Sequence, residues 1–201
     1  MSLKLLGAGI ISVGLLLSNL ANAANFSFTG NLSTPNEIQT FNFTVGLPSS
    51  VTLRTWSYAG GTNADGAVIV RGGFDPILAL FDSTGALIDQ NDDGGGNVAA
   101  DINGLHYDTF LNPSSPLAAG TYTVSVMQFS NFAIGPNLSN GFQQDETSFN
   151  GRDSHWAFDV LNVDGAVVNP PTAAVPEPET YAMMLAGLGL MGFVARRRKE
   201  T

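Results

Sequence analysis

Between residues 25 and 165 several short stretches carry apolar side chains at every second position. Phe41, Phe43 and Val45 alternate with Asn42 and Thr44, and Val51, Leu53 and Thr55 alternate with Thr52, Arg54 and Trp56. Tyr122, Val124 and Val126 alternate with Thr121, Thr123 and Ser125, and Trp156, Phe158 and Val160 repeat the pattern near residue 160. Successive side chains leave a strand on opposite faces, so period two marks half-buried strands. Residues 77–81 are instead an unbroken apolar run, with Leu78 and Leu80 on one face and Ile77, Ala79 and Phe81 on the other, which suits a central strand. After it, Asp82-Ser83-Thr84-Gly85 and Ala86-Leu87-Ile88 predict a hairpin whose Gly85 takes a positive φ. No ten-residue stretch of the body has apolar residues at helical spacing, and glycine, proline, asparagine and aspartate punctuate the strands at short intervals. The expectation is an all-β domain over residues 24–165, a single antiparallel β-sandwich of jelly-roll type. A Pro- and Ala-rich linker over residues 166–175 is expected to follow.

The two ends break this pattern. Residues 1–23 open with Lys4, run through Leu5, Leu6, Ile10, Ile11, Val13 and Leu15, and close on Ala21-Asn22-Ala23. A charged start, an apolar middle and a small-x-small ending at Ala21 and Ala23 predict a signal peptide, cut by signal peptidase after Ala23. Residues 176–199 read Pro176-Glu177-Pro178, then fifteen mostly apolar residues from 181 to 195, then Arg196-Arg197-Arg198-Lys199. A fifteen-residue helix is about 22 Å long, short of a hydrocarbon core of about 30 Å, so this transmembrane helix is a poor permanent anchor. The basic cluster behind it holds that end in the cytoplasm and leaves the body on the far side, where the signal peptide also sends it. A spacer and a short apolar tail are also the parts of lipid-anchor signals whose tails are removed by a transpeptidase.

With its Pro-Glu-Pro box, short apolar span and terminal arginines, this end resembles the PEP-CTERM sorting signal. The resemblance implies a Gram-negative bacterium that makes exopolysaccharide, and an inner-membrane exosortase that cuts near Pro176, Glu177 and Pro178. It implies a product released to, or attached at, the cell surface or its biofilm matrix.

Charge sharpens the picture of the body. The formal net charge is -9, yet most of the basic residues lie at the ends. Residues 24–175 hold fourteen Asp and Glu against only Arg54, Arg71 and Arg152. Such a surface repels phosphate backbones, which argues against nucleic acid, and it suits cations. The absence of cysteine removes disulfides, thiolate metal sites and a cysteine nucleophile.

One acidic tract is specific. Asp89-Gln90-Asn91-Asp92-Asp93-Gly94 fits the D-x-[DN]-x-[DN]-G pattern of calcium loops, in which Asp89, Asn91 and Asp93 converge on a Ca2+ ion and glycine permits the bend. An EF-hand is excluded, because position twelve is Ala100 and the flanks are not helical. Asp101, with Asp75 and Asp108 from neighbouring loops, supplies further candidate ligands. The competing reading is a bare, solvated turn, since Asp, Asn and Gly are ordinary turn formers. The run from Phe74 through Asp75-Pro76 and the hairpin to Asn91-Asp92-Asp93-Gly94, with the later Gly120-Thr-Tyr122-Thr-Val124, resembles prepeptidase C-terminal-like β-sandwich domains. That resemblance implies an accessory, often calcium-stabilised domain without a catalytic centre. The long segment 131–153 departs from it.

Catalysis lacks a signature. Asp153-Ser154-His155 cannot form a triad from neighbours alone, His106 reads as a solvated loop residue, and no nucleophile elbow, zinc-protease or P-loop motif is present. Plentiful carboxylates leave a secreted hydrolase as a third reading. Trp56, Tyr58, Tyr107 and Trp156 offer either core packing or a stacking platform for glycan; exposed tryptophans on one face favour a lectin, and buried ones a scaffold. The sequence therefore points to an exported, non-catalytic surface or matrix protein, with an exopolysaccharide-binding module as the alternative.

Overall fold

The structure is a computed structural model, and it describes residues 23–170. Residues 1–22 of the expected signal peptide and the Pro-Glu-Pro box, apolar span and basic cluster lie outside the described residues. Among those described, the only helical pieces are two three-residue turns, Gly95–Asn97 and Leu138–Asn140, and no helix is long and apolar enough to cross a membrane.

Eleven antiparallel strands form the body: β1 (Ala24–Asn31), β2 (Gln39–Val45), β3 (Thr52–Thr55), β4 (Gly61–Thr62), β5 (Val68–Ile69), β6 (Pro76–Phe81), β7 (Leu87–Asn91), β8 (Phe110–Leu111), β9 (Gly120–Gln128), β10 (His155–Val163) and β11 (Gly165–Val168). One sheet has the order β1-β10-β3-β8 and the other β11-β2-β9-β6-β7, while β4 and β5 make a separate ribbon. Among the strands of the two large sheets, β6 and β7 are the only consecutive pair within one sheet; every other step along the chain changes sheet. The first strand begins at Ala24, the residue after the predicted signal cleavage, which pairs with Val163.

The alternation sorts the side chains as the sequence requires. Phe41, Phe43 and Val45 of β2, Leu53 of β3, Leu78 and Leu80 of β6, Tyr122, Val124 and Val126 of β9, and Trp156, Phe158 and Val160 of β10 fill the space between the sheets. Phe41 is the hub, its ring 5.0 Å from Phe28, 5.5 Å from Trp156 and 4.9 Å from Phe158. Burying each such ring contributes about 1.5–3 kcal/mol. Glycine is required at Gly30, opposite Trp156, because a β-carbon there would overlap the indole.

The continuous run of β6 has a second explanation besides its central place. Its other face, Ile77, Ala79 and Phe81 with Met127 of β9, is covered by Phe132, Ala133, Leu138 and Phe142. Much of the long segment that departs from the resembled domain is thus a lid over the outer face of the five-stranded sheet. Some of its polar pegs are internal: the buried Asn131 accepts the Gln144 amide at 2.7 Å, and Glu146 accepts the Ser130 amide and hydroxyl at 3.2 and 3.1 Å. Others tie it to the hairpin, where Gln90 accepts the Ala133 amide at 2.8 Å and Gly85 O accepts the Leu138 amide at 2.7 Å. The expected hairpin is present. Gly85 has φ +83, and Asp82 Oδ1 accepts the amides of Thr84 and Ala86 at 2.8 and 3.0 Å.

Residues 166–168, expected to open the linker, are strand instead. Gly165–Val168 pair with β2, and the Asn169 amide donates to Thr40. The small residues that suggested a spacer serve here as an edge strand, in which Val167 and Val168 stay exposed.

Candidate functional site

The β6–β7 hairpin carries the chain into the acidic tract, and the tract is stitched to the loop before β8. Asn91 donates from its amide nitrogen to the carbonyls of Asp93 and Phe110 at 3.0 and 2.9 Å. Thr109 donates its hydroxyl to the carbonyls of Asp92, at 2.6 Å, and Pro76. Gly94 donates to Asp108 O at 2.8 Å. Its φ of −79° is open to any residue, so the bend does not demand glycine. Space does: a β-carbon would lie 2.5 Å from Val98 Cγ1 and 2.8 Å from Asp108 O.

The six residues nominated as calcium ligands separate into different roles. Asp89 is exposed on β7 and accepts the Gln90 amide at 2.8 Å. Asp101 closes its own turn, accepting the amides of Asn103 and Leu105 at 2.7 and 3.0 Å, and these bonds, that of Leu105 first, hold its carboxyl below the ordinary range. Asp108 is 1% exposed and clamps the chain leaving β3: it accepts the Thr55 hydroxyl at 3.0 Å and the amides of Tyr58 and Ala59 at 3.0 and 2.8 Å. Burial nevertheless pushes its carboxyl up. Among the described residues no group of three or more acidic or histidine side chains forms a ready metal cluster.

Asp75 and Asp93 do meet electrostatically, with Asp92. Burial, followed by the charges of Asp93 and Asp92, pushes the Asp75 carboxyl up to about 7. Burial and then Asp92 also raise Asp93. Asp75 Oδ1 is buried without a hydrogen-bond partner. An orphaned carboxylate oxygen facing two like charges is a place where a proton or a hard cation lowers the energy.

Both histidines are tied to backbone carbonyls. His106 Nδ1 lies 2.9 Å from Val98 O; His155 Nε2 lies 2.9 Å from Val70 O, with Nδ1 3.5 Å from Asp153. The aromatic candidates also divide. Trp156 is 4% exposed and packs edge-on against Phe41, so it belongs to the core. Trp56 is half-buried just beyond β3, donating to Asp159 at 2.7 Å beneath the Arg54 guanidinium. No two-tryptophan platform forms. Tyr58 and Tyr107 do come together, ring centres 5.0 Å apart, beside a cleft of about 400 Å³ that Asp75, Gln128, Phe149 and Arg152 also line. Arg152 stacks 3.4 Å over Tyr58 and donates to the carbonyls of Gly73 and Tyr58. The sequence singled out neither Gln128 nor Arg152 as site residues. Arg152 carried a usable signal, as one of only three basic residues in an acidic body.

With the geometry in place, the comparison with known proteins bears on the far end of the chain. Residues 174–199 match the PEP-CTERM protein-sorting motif. The chain is therefore an exported protein processed by an exosortase, and its body is an all-β, sandwich-like domain of two antiparallel sheets. No curated protein matches the chain.

Proposed function

We propose that the mature protein is a non-catalytic component of the cell surface or its exopolysaccharide and biofilm matrix. It is the jelly-roll type domain left after signal peptidase and exosortase have removed the two ends, having used the inner membrane of a Gram-negative cell only in transit. The sorting motif at residues 174–199 carries this reading, because it assigns the domain to an export route that ends outside the cytoplasm. Sheet-changing connections support the jelly-roll class. The non-catalytic role is supported by where the chemistry-bearing groups go: both histidines are bonded to backbone carbonyls, and Asp108 serves as a buried clamp.

The same reading includes a stabilising Ca2+ ion at the acidic tract, for which Asp75 and Asp93 are the nominated ligands that influence each other; they do not stand as a ready cluster, so the ion would have to draw them together. Its support is the orphaned Asp75 oxygen and the mutual repulsion of these carboxylates. When bound, the ion supplies positive charge that neutralises the cluster; the protein contributes oxygen ligands and a fold that holds them together.

The test is fractionation of cells that carry an exosortase and express the protein with Pro176, Glu177 and Pro178 replaced by alanine. The intact protein is expected in the surface or matrix fraction and the variant in the inner membrane. Equal delivery of both to the surface would refute the proposal.

A further inference from the structure

We infer that the cleft between Tyr58, Tyr107, Gln128 and Arg152 is a binding site for a neutral saccharide ring. Gln128 ends β9 and is 1% exposed. Its amide nitrogen donates to Ser148 O at 2.7 Å and to Glu146 at 3.4 Å, which fixes the plane of the amide, and its Oε1 has no partner. Asp75, next to Pro76, which pairs with Gln128 across the sheet, contributes a second buried oxygen without a donor. Buried polar atoms are nearly always satisfied, and these two orphan acceptors belong to residues that line one cleft, so a small shift of either side chain offers an acceptor to a ligand that brings donors. Hydroxyl groups meet that requirement.

The walls restrict the class further. Tyr107 and Phe149 are half-buried aromatic walls, which suits a body with apolar C–H faces; the Tyr58 ring beside them is already covered by Arg152. The Arg152 guanidinium opposes an ammonium ligand, and Asp75 opposes a carboxylate. What remains is a neutral polyol with flat apolar faces, a hexose or N-acetylhexosamine unit. The cleft, at about 400 Å³, lies within the range of about 300–1,000 Å³ typical of small-molecule sites. Part of the wall, Phe149 and Arg152, comes from the long segment 131–153. Phe149 is braced by Phe74, with ring centres 5.8 Å apart.

The inference rests on the matrix reading, which it deepens by naming what the domain holds; it shares the Asp75 oxygen with the calcium reading, so every probe is run with and without the ion. It is tested by saturation-transfer NMR and calorimetry on the exported protein. The probes are di- to tetrasaccharides of glucose, galactose, mannose and N-acetylglucosamine, each with calcium and with chelator. At least one is expected to bind at millimolar concentration or below. Tyr107→Ala, on a half-buried ring, is expected to weaken that binding roughly tenfold; Trp56→Phe, outside the cleft, is expected to leave it unchanged. No binding across the panel in either condition overturns the inference, as does binding lost in the Trp56 variant but kept in the Tyr107 variant. A response to calcium alone overturns the saccharide site while leaving the cation reading intact. Saccharide binding without any calcium response does the reverse.

Discussion

Replacing Asp75 by asparagine removes one charge and almost no volume, so it isolates the electrostatics of the acidic cluster. In the folded protein burial and the charges of Asp93 and Asp92 raise the Asp75 carboxyl from 3.8 to about 7. Since the folded value lies above the unfolded one, the folded state binds this proton more tightly. The stability it contributes is present in full below about pH 4 and is lost as pH rises towards 7. A rise of about three pK units at about 1.36 kcal/mol each sets an upper bound of about 4 kcal/mol. Solvent screening of a half-buried group reduces this to about 2 kcal/mol. For a domain of this size that corresponds to about 4–8 °C in melting temperature. In chelator, Asp75→Asn is therefore expected to melt about 4–8 °C above wild type at pH 8 and close to it at pH 4. Millimolar calcium at pH 8 is expected to raise the wild type and leave the variant unmoved, because an ion that binds only the folded state stabilises it. Scanning calorimetry at the two pH values reads both effects. A variant that melts at or below wild type at pH 8, or a difference that does not change with pH, would refute the reasoning.

Asp108→Ala is expected to cost about 3–5 kcal/mol in urea unfolding, since it strands the Thr55 hydroxyl and the Tyr58 and Ala59 amides in the interior; a loss under about 1 kcal/mol would contradict its role as a clamp. Phe81→Ala, at a fully buried position under the lid, is expected to cost about 3–5 kcal/mol and to open the segment 129–145 to limited proteolysis. Cleavage resistance equal to wild type would show that the lid does not rest on Phe81.

Strands announce themselves locally, through alternation and turn residues, and β2, β3, β9 and β10 fall where period two places them. The β6–β7 hairpin was legible for the same reason, because Asp82 and Gly85 fix a turn with short-range bonds. Residues 132–142 were not, because their burial depends on a face of β6 that is remote in sequence. Residues 166–168 look like spacer until β2 offers them an edge. The candidate site shows the limit most clearly. Regular spacing gathered Asp89, Asn91 and Asp93, but on β7 Asp89 stays in solvent while Asn91 turns its amide onto backbone carbonyls. The charges that meet Asp93 are its neighbour Asp92 and, across the hairpin, Asp75. Gln128 carries no spacing signal at all; its orphaned oxygen exists only once the Ser148 carbonyl has captured its nitrogen.

The central claim, an exported sheet domain trimmed at both ends, is tested most directly by the intact mass of the protein recovered from outside the cell. The account predicts a chain that starts at Ala24 and stops near the Pro176-Glu177-Pro178 box, with or without an added group at the new end. A polypeptide running uncut from Met1 to Thr201 would contradict it.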